Sequence, residues 1–315
     1  MGVPAPLARG YPGVPPPTTM TVRGVGGTNN GGNEMLEVRL VGATTVEHDG
    51  TRHAAHELGG VKPRQLLQML ALEPGVPRTK DALAEQLWEG RPPGSWLATV
   101  ESYVCVLRRR LGVGRGRGSV LATSSSGYVL DPDRVDVDVV GIREQLAGEP
   151  EGVATAMERL RGDLLPEEPY APWACAAREQ LWDTVTDAGC RAARAANADG
   201  RHELAVRIAR VAVEHSYYSE PAWRELIRAL WMAHGPSEAV HAYERLREGL
   251  RTDLGLEPGP ETQALHQEIL RSGTGAEEVG LLVEQLGRAL ERTPSMRLSA
   301  STAAQLGQLL LARSG

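Results

Sequence analysis

The stretch that most restricts what this chain can become is Ser95–Asp133, SWLATVESYVCVLRRRLGVGRGRGSVLATSSSGYVLDPD. Val100, Tyr103, Val104, Leu107 and Leu111 recur at i, i+3, i+4, i+7 and i+11, one apolar stripe of a helix. At about 100° per residue the opposite face carries Ser102, Cys105 and Arg109, with Glu101, Val106 and Arg108 at its edges. Three arginines end the helix, Arg108–Arg110, and a Gly/Arg loop follows. Two β-prone runs, Val120–Thr123 and Gly127–Leu130, are then joined by serines. A helix followed at once by a hairpin is the reading end of a winged helix-turn-helix. A small, polar, basic face suits a major groove about 12 Å wide, where arginine can bridge guanine O6 and N7.

The upstream sequence supplies the rest of such a module. Leu36–Val41 alternates as a half-buried strand does, and Thr44–Glu47 leads as a second strand into Asp49-Gly50, a hairpin turn signal. A third short strand fits before Leu58. Lys62–Leu72 reads as a first helix with Pro63 near its start, and Leu66, Leu67 and Leu70 as its buried face. Thr79 is placed to cap a second helix, Lys80–Trp88, with Leu83, Leu87 and Trp88 inward. Front sheet, three helices and back hairpin make one domain over 35–132. Residues 1–34 hold six prolines and eight glycines and read as a leader without a packed element.

Charge divides the chain. Lys62–Arg117 holds ten Lys or Arg against five Asp or Glu, a balance of +5. The whole chain is −6, so the remainder carries −11. A basic module joined to an acidic one fits a DNA reader with a protein-binding companion. Candidate DNA contacts are Thr99, Ser102, Arg108, Arg109 and Arg110 on the third helix. Arg115 and Arg117 add the loop, Thr123 and Ser125 the wing, and Lys62 and Arg64 the first helix.

Asp131–Asp138 is acidic and contains proline, and reads as the junction to a second half. Beyond it the pattern is helical over 139–147, 151–161, 172–198, 201–215, 219–234, 236–252 and 259–271. Gly200 and Gly235 lie 35 apart and Ala205 and Ala239 34 apart, while Trp223, Leu226, Leu230, Ala239 and Tyr243 follow the tetratricopeptide pattern. The fold class is therefore mainly α: an N-terminal winged helix-turn-helix, then an all-α tetratricopeptide-like domain over 133–272. Residues 273–315 carry Leu282, Leu286 and Leu290, then Leu306, Leu309 and Leu310, as an amphipathic helical extension.

Other chemistries find little support. Cys105, Cys175 and Cys190 form no CxxC pair. His53, His56 and Glu57 lack zinc-protease spacing and read as loop residues, so no metal is expected. GRGRG meets neither the Walker nor the dinucleotide spacing, so no cofactor is expected. His202-Glu203 and the scattered carboxylates form no recognisable triad, so no enzyme is expected. No run approaches about 18 apolar residues, so no membrane span is expected.

The pieces together resemble one family. Leu58-Gly59-Gly60 with Lys62–Leu72, Ala82-Leu83 with Leu87-Trp88, Thr99–Gly112 and Leu121–Leu130 resemble the OmpR-type domain of the SARP (Streptomyces antibiotic regulatory protein) family. Gly162–Leu165, Glu179–Leu181, Gly200–His202, Glu220–Trp223 and Leu254–Glu261 resemble its bacterial transcriptional activator domain. The resemblance covers about residues 36–271. It departs at Val106, where the family typically has arginine. A valine there offers its methyls to a thymine instead. The resemblance implies a cytoplasmic, nucleoid-associated activator that binds direct repeats in double-stranded DNA as a homodimer. It also implies recruitment of RNA polymerase to secondary-metabolite (antibiotic) genes. The alternative is a helical-repeat scaffold whose winged domain no longer binds DNA.

Overall fold

The computed structural model describes residues 35–115 and 118–272. The leader, Arg117 and the extension 273–315 fall outside the described residues.

Three strands open the chain: β1 (Leu36–Arg39), β2 (Thr45–His48) and β3 (Thr51–Ala54). β1 pairs antiparallel with β2, and β2 with β3. Asp49 and Gly50 both take positive φ, +48° and +73°, as the tight Asp-Gly hairpin requires. The core helices follow: α1 (Val61–Ala71), α2 (Lys80–Leu87) and α3 (Trp96–Leu111). Leu66, Leu67, Leu70, Leu83 and Leu87 are buried as the periodicity predicts. Trp88 is only half-buried and stacks on Tyr103, with ring centroids 6.3 Å apart.

One strand was not legible in the pattern. Arg78 and Thr79 form a two-residue strand, β4, beside the hairpin β5 (Leu121–Thr123) and β6 (Gly127–Leu130), in the order β4-β6-β5. This approach is why residue 127 is glycine: a Cβ there would collide with the Arg78 carbonyl.

The expected junction is structured. Val135–Val137 forms β7, which lies parallel to β1 and completes a sheet of order β3-β2-β1-β7. Its valines are buried, because a strand in that position packs its alternate residues on the first core. Asp138 follows at once. Its carboxylate accepts the amides of Leu40 (2.9 Å), Val41 (3.1 Å) and Val139 (2.7 Å). Burial pushes its pKa up, and those three bonds pull the other way.

The second half is helical: α4 (Asp138–Leu146), α5 (Pro150–Arg159), α6 (Pro172–Ala198), α7 (His202–His215), α8 (Glu220–His234) and α9 (Pro236–Gly249). Leu250–Leu254 winds as a π-helix, and residues 260–272 are helical. α6, α7, α8 and α9 pack serially, each on the next. Ala205, Ala209, Ala212 and Gly189 allow that approach: a Cβ on Gly189 would lie 3.0 Å from the Ala212 methyl. Trp223, Leu226, Leu230, Ala239 and Tyr243 are all buried, as a helical repeat demands.

The halves meet along residues 162–169. Val41 and Leu164 form a bridge, Leu165 N donates to Leu40 O (2.8 Å), and Gly42 N donates to Asp163 O (2.9 Å). Glu167 accepts from the amide and hydroxyl of Thr44, and Gln68 donates to the same hydroxyl. From the other side, Arg178 on α6 donates to the carbonyls of Leu164, Leu165, Glu168 and Pro169 at 3.0–3.2 Å. One guanidinium thus fixes the segment that carries the contacts.

Candidate nucleic-acid interface

Three features hold α3 in place. Val100, Val104, Leu107 and Leu111 are at most 3% exposed. Each such side chain contributes about 1.5–3 kcal/mol on burial. Gly112 ends the helix in the left-handed region, φ +68°, with its amide on the Arg108 carbonyl. α3 packs on α1 and α2, within the winged half.

The outward face is the one the periodicity predicts. Ala98, Glu101, Ser102, Arg109 and Arg110 are exposed, and Cys105 is half-buried. Ala98, Ser102, Cys105 and Arg109 follow one another at helical spacing and form a ridge. Among the described residues, Arg109 and Arg110 join no ion pair. The Thr99 hydroxyl is engaged, donating to Ser95 O at 2.9 Å.

Arg108 has a different place from its neighbours. Its Nε and Nη2 donate to Leu121 O (3.2 and 2.7 Å), and Nη2 also donates to Thr123 Oγ1 (2.9 Å). Its guanidinium lies 5.9 Å from the centroid of the buried Tyr128 ring. Burial lowers its pKa, Tyr128 counters this, and nearby Arg115 adds to it. Arg108 therefore joins the helix to the wing, and any phosphate it met would share it with Leu121. The wing tip is closed by Gly127 N on Ser124 Oγ, 3.0 Å, which leaves Ser125 exposed.

One candidate, Arg64, is corrected, and another, Lys62, is partly engaged by the protein itself. Arg64 points into the junction: its Nη2 donates to Glu168 Oε1 at 2.6 Å and its Nε at 3.1 Å. The side chains are 12% and 5% exposed, so neither can turn to a phosphate without leaving a charge buried. Lys62 donates Nζ to the Leu87 carbonyl and closes the end of α2. Neither role is visible in sequence, since the partners lie 104 and 25 residues away. Val106 is half-buried and packs one methyl against Gly59, where a Cβ would collide with its Cγ1; it lines an open pocket with His53, Arg109 and Arg110. Gly59 holds φ +91°, a further reason for glycine there.

Lys80 is the residue the sequence reading overlooked. It starts α2 behind the Thr79 cap, lies 5.8 Å from the Tyr128 centroid, and pairs with Glu101 at 2.6 Å on the exposed face of α3. That bond raises the lysine pKa. A cation at a capped helix start beside a predicted wing was the available signal. His53, His56 and Glu57 sit on β3 and the short 3-10 turn after it. Glu57 accepts from Ala54 N at 2.7 Å, which lowers its pKa. Among the described residues no His, Cys, Asp or Glu group is arranged to hold a metal. None of their helices is long and apolar enough to cross a membrane.

Residues 59–130 match the family model "Transcriptional regulatory protein, C terminal", and 136–270 match "Bacterial transcriptional activator domain". The chain is 34% identical to the transcriptional regulatory protein EmbR of Mycobacterium tuberculosis over 259 residues, 76% of this chain and 64% of that protein. It thus spans under two thirds of EmbR. It is 30% identical to the regulatory protein DnrI of Streptomyces peucetius over 78% of this chain and 96% of DnrI. The structure of M. tuberculosis EmbR in complex with a low-affinity phosphopeptide superposes with a TM-score of 0.58 at 30% identity, over 78% of this chain and 70% of that one. With its ridge and wing in front and its helical repeat behind, the chain belongs to the SARP family of transcriptional regulators.

Proposed function

We propose that the protein is a sequence-specific DNA-binding transcriptional activator of secondary-metabolite genes, acting in the cytoplasm at the nucleoid. The observation that carries the reading is the exposed ridge of α3, with Ser102, Arg109 and Arg110 turned outward beside the exposed tip of the wing. In this reading α3 enters the major groove. Arg109 meets a base edge, Arg110 a phosphate, and the wing follows the backbone with Thr123 and Ser125. Two copies occupy direct repeats, and the helical half recruits RNA polymerase. The similarity to DnrI and EmbR supports the regulatory role; the partners and gene class are the proposal.

A mobility-shift titration over a salt series tests it. A reader that neutralises several phosphates loses affinity linearly in the logarithm of salt. Arg109→Ala should weaken binding by about 1–3 kcal/mol and relax sequence choice. Wild-type protein that fails to shift the DNA upstream of its own operon at low salt would refute the reading and favour a scaffold.

A further inference from the structure

We propose that Arg115 is a specificity-determining residue that reads a guanine from the loop after α3. This rests on the DNA-reading function proposed above.

Gly112 turns the chain back on itself, and Val113 N joins Gly112 N on the Arg108 carbonyl (3.0 Å). Val113 packs against the core, and Ser119 Oγ donates to Gly114 O at 2.6 Å. These contacts return Arg115 along the helix that has just ended. Its Nη2 lies 2.9 Å from Cys105 Sγ, in the middle of the ridge and two turns before the helix end. It is also close enough to Arg108 to lower that residue's pKa.

The side chain is exposed, so its remaining donors are free to meet a ligand. The planar fork of an arginine suits a phosphate or the paired acceptors O6 and N7 of guanine, and a seat on the middle of the helix ridge rather than on the wing favours the base edge. On the ridge the helix itself offers Arg109, one turn beyond Cys105. Val106 is packed on Gly59, and Arg108 is engaged with the wing. The loop therefore adds a second cation to the ridge, one turn before Arg109. Cys105, a small side chain with an acceptor sulfur, is the seat.

Selection from a random double-stranded library with the full chain tests this, comparing wild type, Arg115→Ala and Arg115→Lys. Wild type is expected to enrich a motif with one invariant G·C pair. That position should become degenerate in Arg115→Ala, with discrimination down about tenfold or more and the other positions intact. Arg115→Lys should bind but prefer that guanine less. An unchanged motif in Arg115→Ala, with uniformly weaker binding and a salt slope smaller by about one, would make Arg115 a phosphate contact and overturn the inference. A wild-type chain that enriches no motif would instead overturn the DNA-reading function itself.

Discussion

Glu168 offers the sharpest test of how the halves are joined. Its carboxylate is 5% exposed and takes three bonds from α1: Arg64 Nε at 3.1 Å, Arg64 Nη2 at 2.6 Å and Gln65 Nε2 at 2.5 Å. Removing it strands the guanidinium of Arg64, itself only 12% exposed. Breaking a buried pair from one side costs about 3–5 kcal/mol. The Gln65 amide loses its acceptor as well, worth about 1–3 kcal/mol. The terms overlap, and Glu168→Ala should lower unfolding free energy by about 4 kcal/mol in urea titrations followed by tryptophan fluorescence. The paired change Arg64→Met with Glu168→Leu removes both charges and fills the space. It should restore most of the loss, to within about 2 kcal/mol of wild type. A cost under about 1 kcal/mol for Glu168→Ala would show that water already reaches the pair, and the account of the junction would fail.

Two further outcomes follow from the packing. Gly127→Ala drives a methyl into the Arg78 carbonyl and should melt the β4–β6 pairing, with a loss of about 2 kcal/mol or more; a melting temperature within a degree of wild type would contradict the close approach. His215 stacks on Trp182 at 3.9 Å, and burial lowers its pKa from about 6.5, against the opposing pull of Glu214 and Asp163. Its neutral form is the folded one, so stability should be complete above pH about 6.5 and decline as pH falls from there through the folded pKa. His215→Gln should flatten that decline in urea midpoints; an equal slope in both proteins would place the acid sensitivity elsewhere.

The parts of this fold that sequence revealed are those with local causes. Pro172 and Gly200 bracket α6, and the helix runs Pro172–Ala198 as the pattern predicts. The stripe from Val100 to Leu111 faces the core because a 3.6-residue period admits no other arrangement. What stayed hidden depends on distant partners. β4 and β7 are two and three residues long, too short for a period, and exist because β6 and β1 offer hydrogen bonds. Arg64 carries the same charge as Arg109, and it is Glu168, far along the chain, that draws Arg64 into the junction. Composition marks 62–117 as the basic stretch but could not say which of its cations were engaged within the fold.

The last strand of the front sheet has a practical corollary. Because Val135–Val137 lies along β1, a fragment stopped at residue 132 would expose the open hydrogen-bonding side of Leu36–Arg39. Bare strand borders recruit one another. Such a fragment should clump or swap segments, while one extended through Asp138 keeps β1 paired to its native border strand and Leu40 and Val41 capped. The seam between the two halves thus runs through Val135–Asp138, the far end of the acidic, proline-marked segment 131–138.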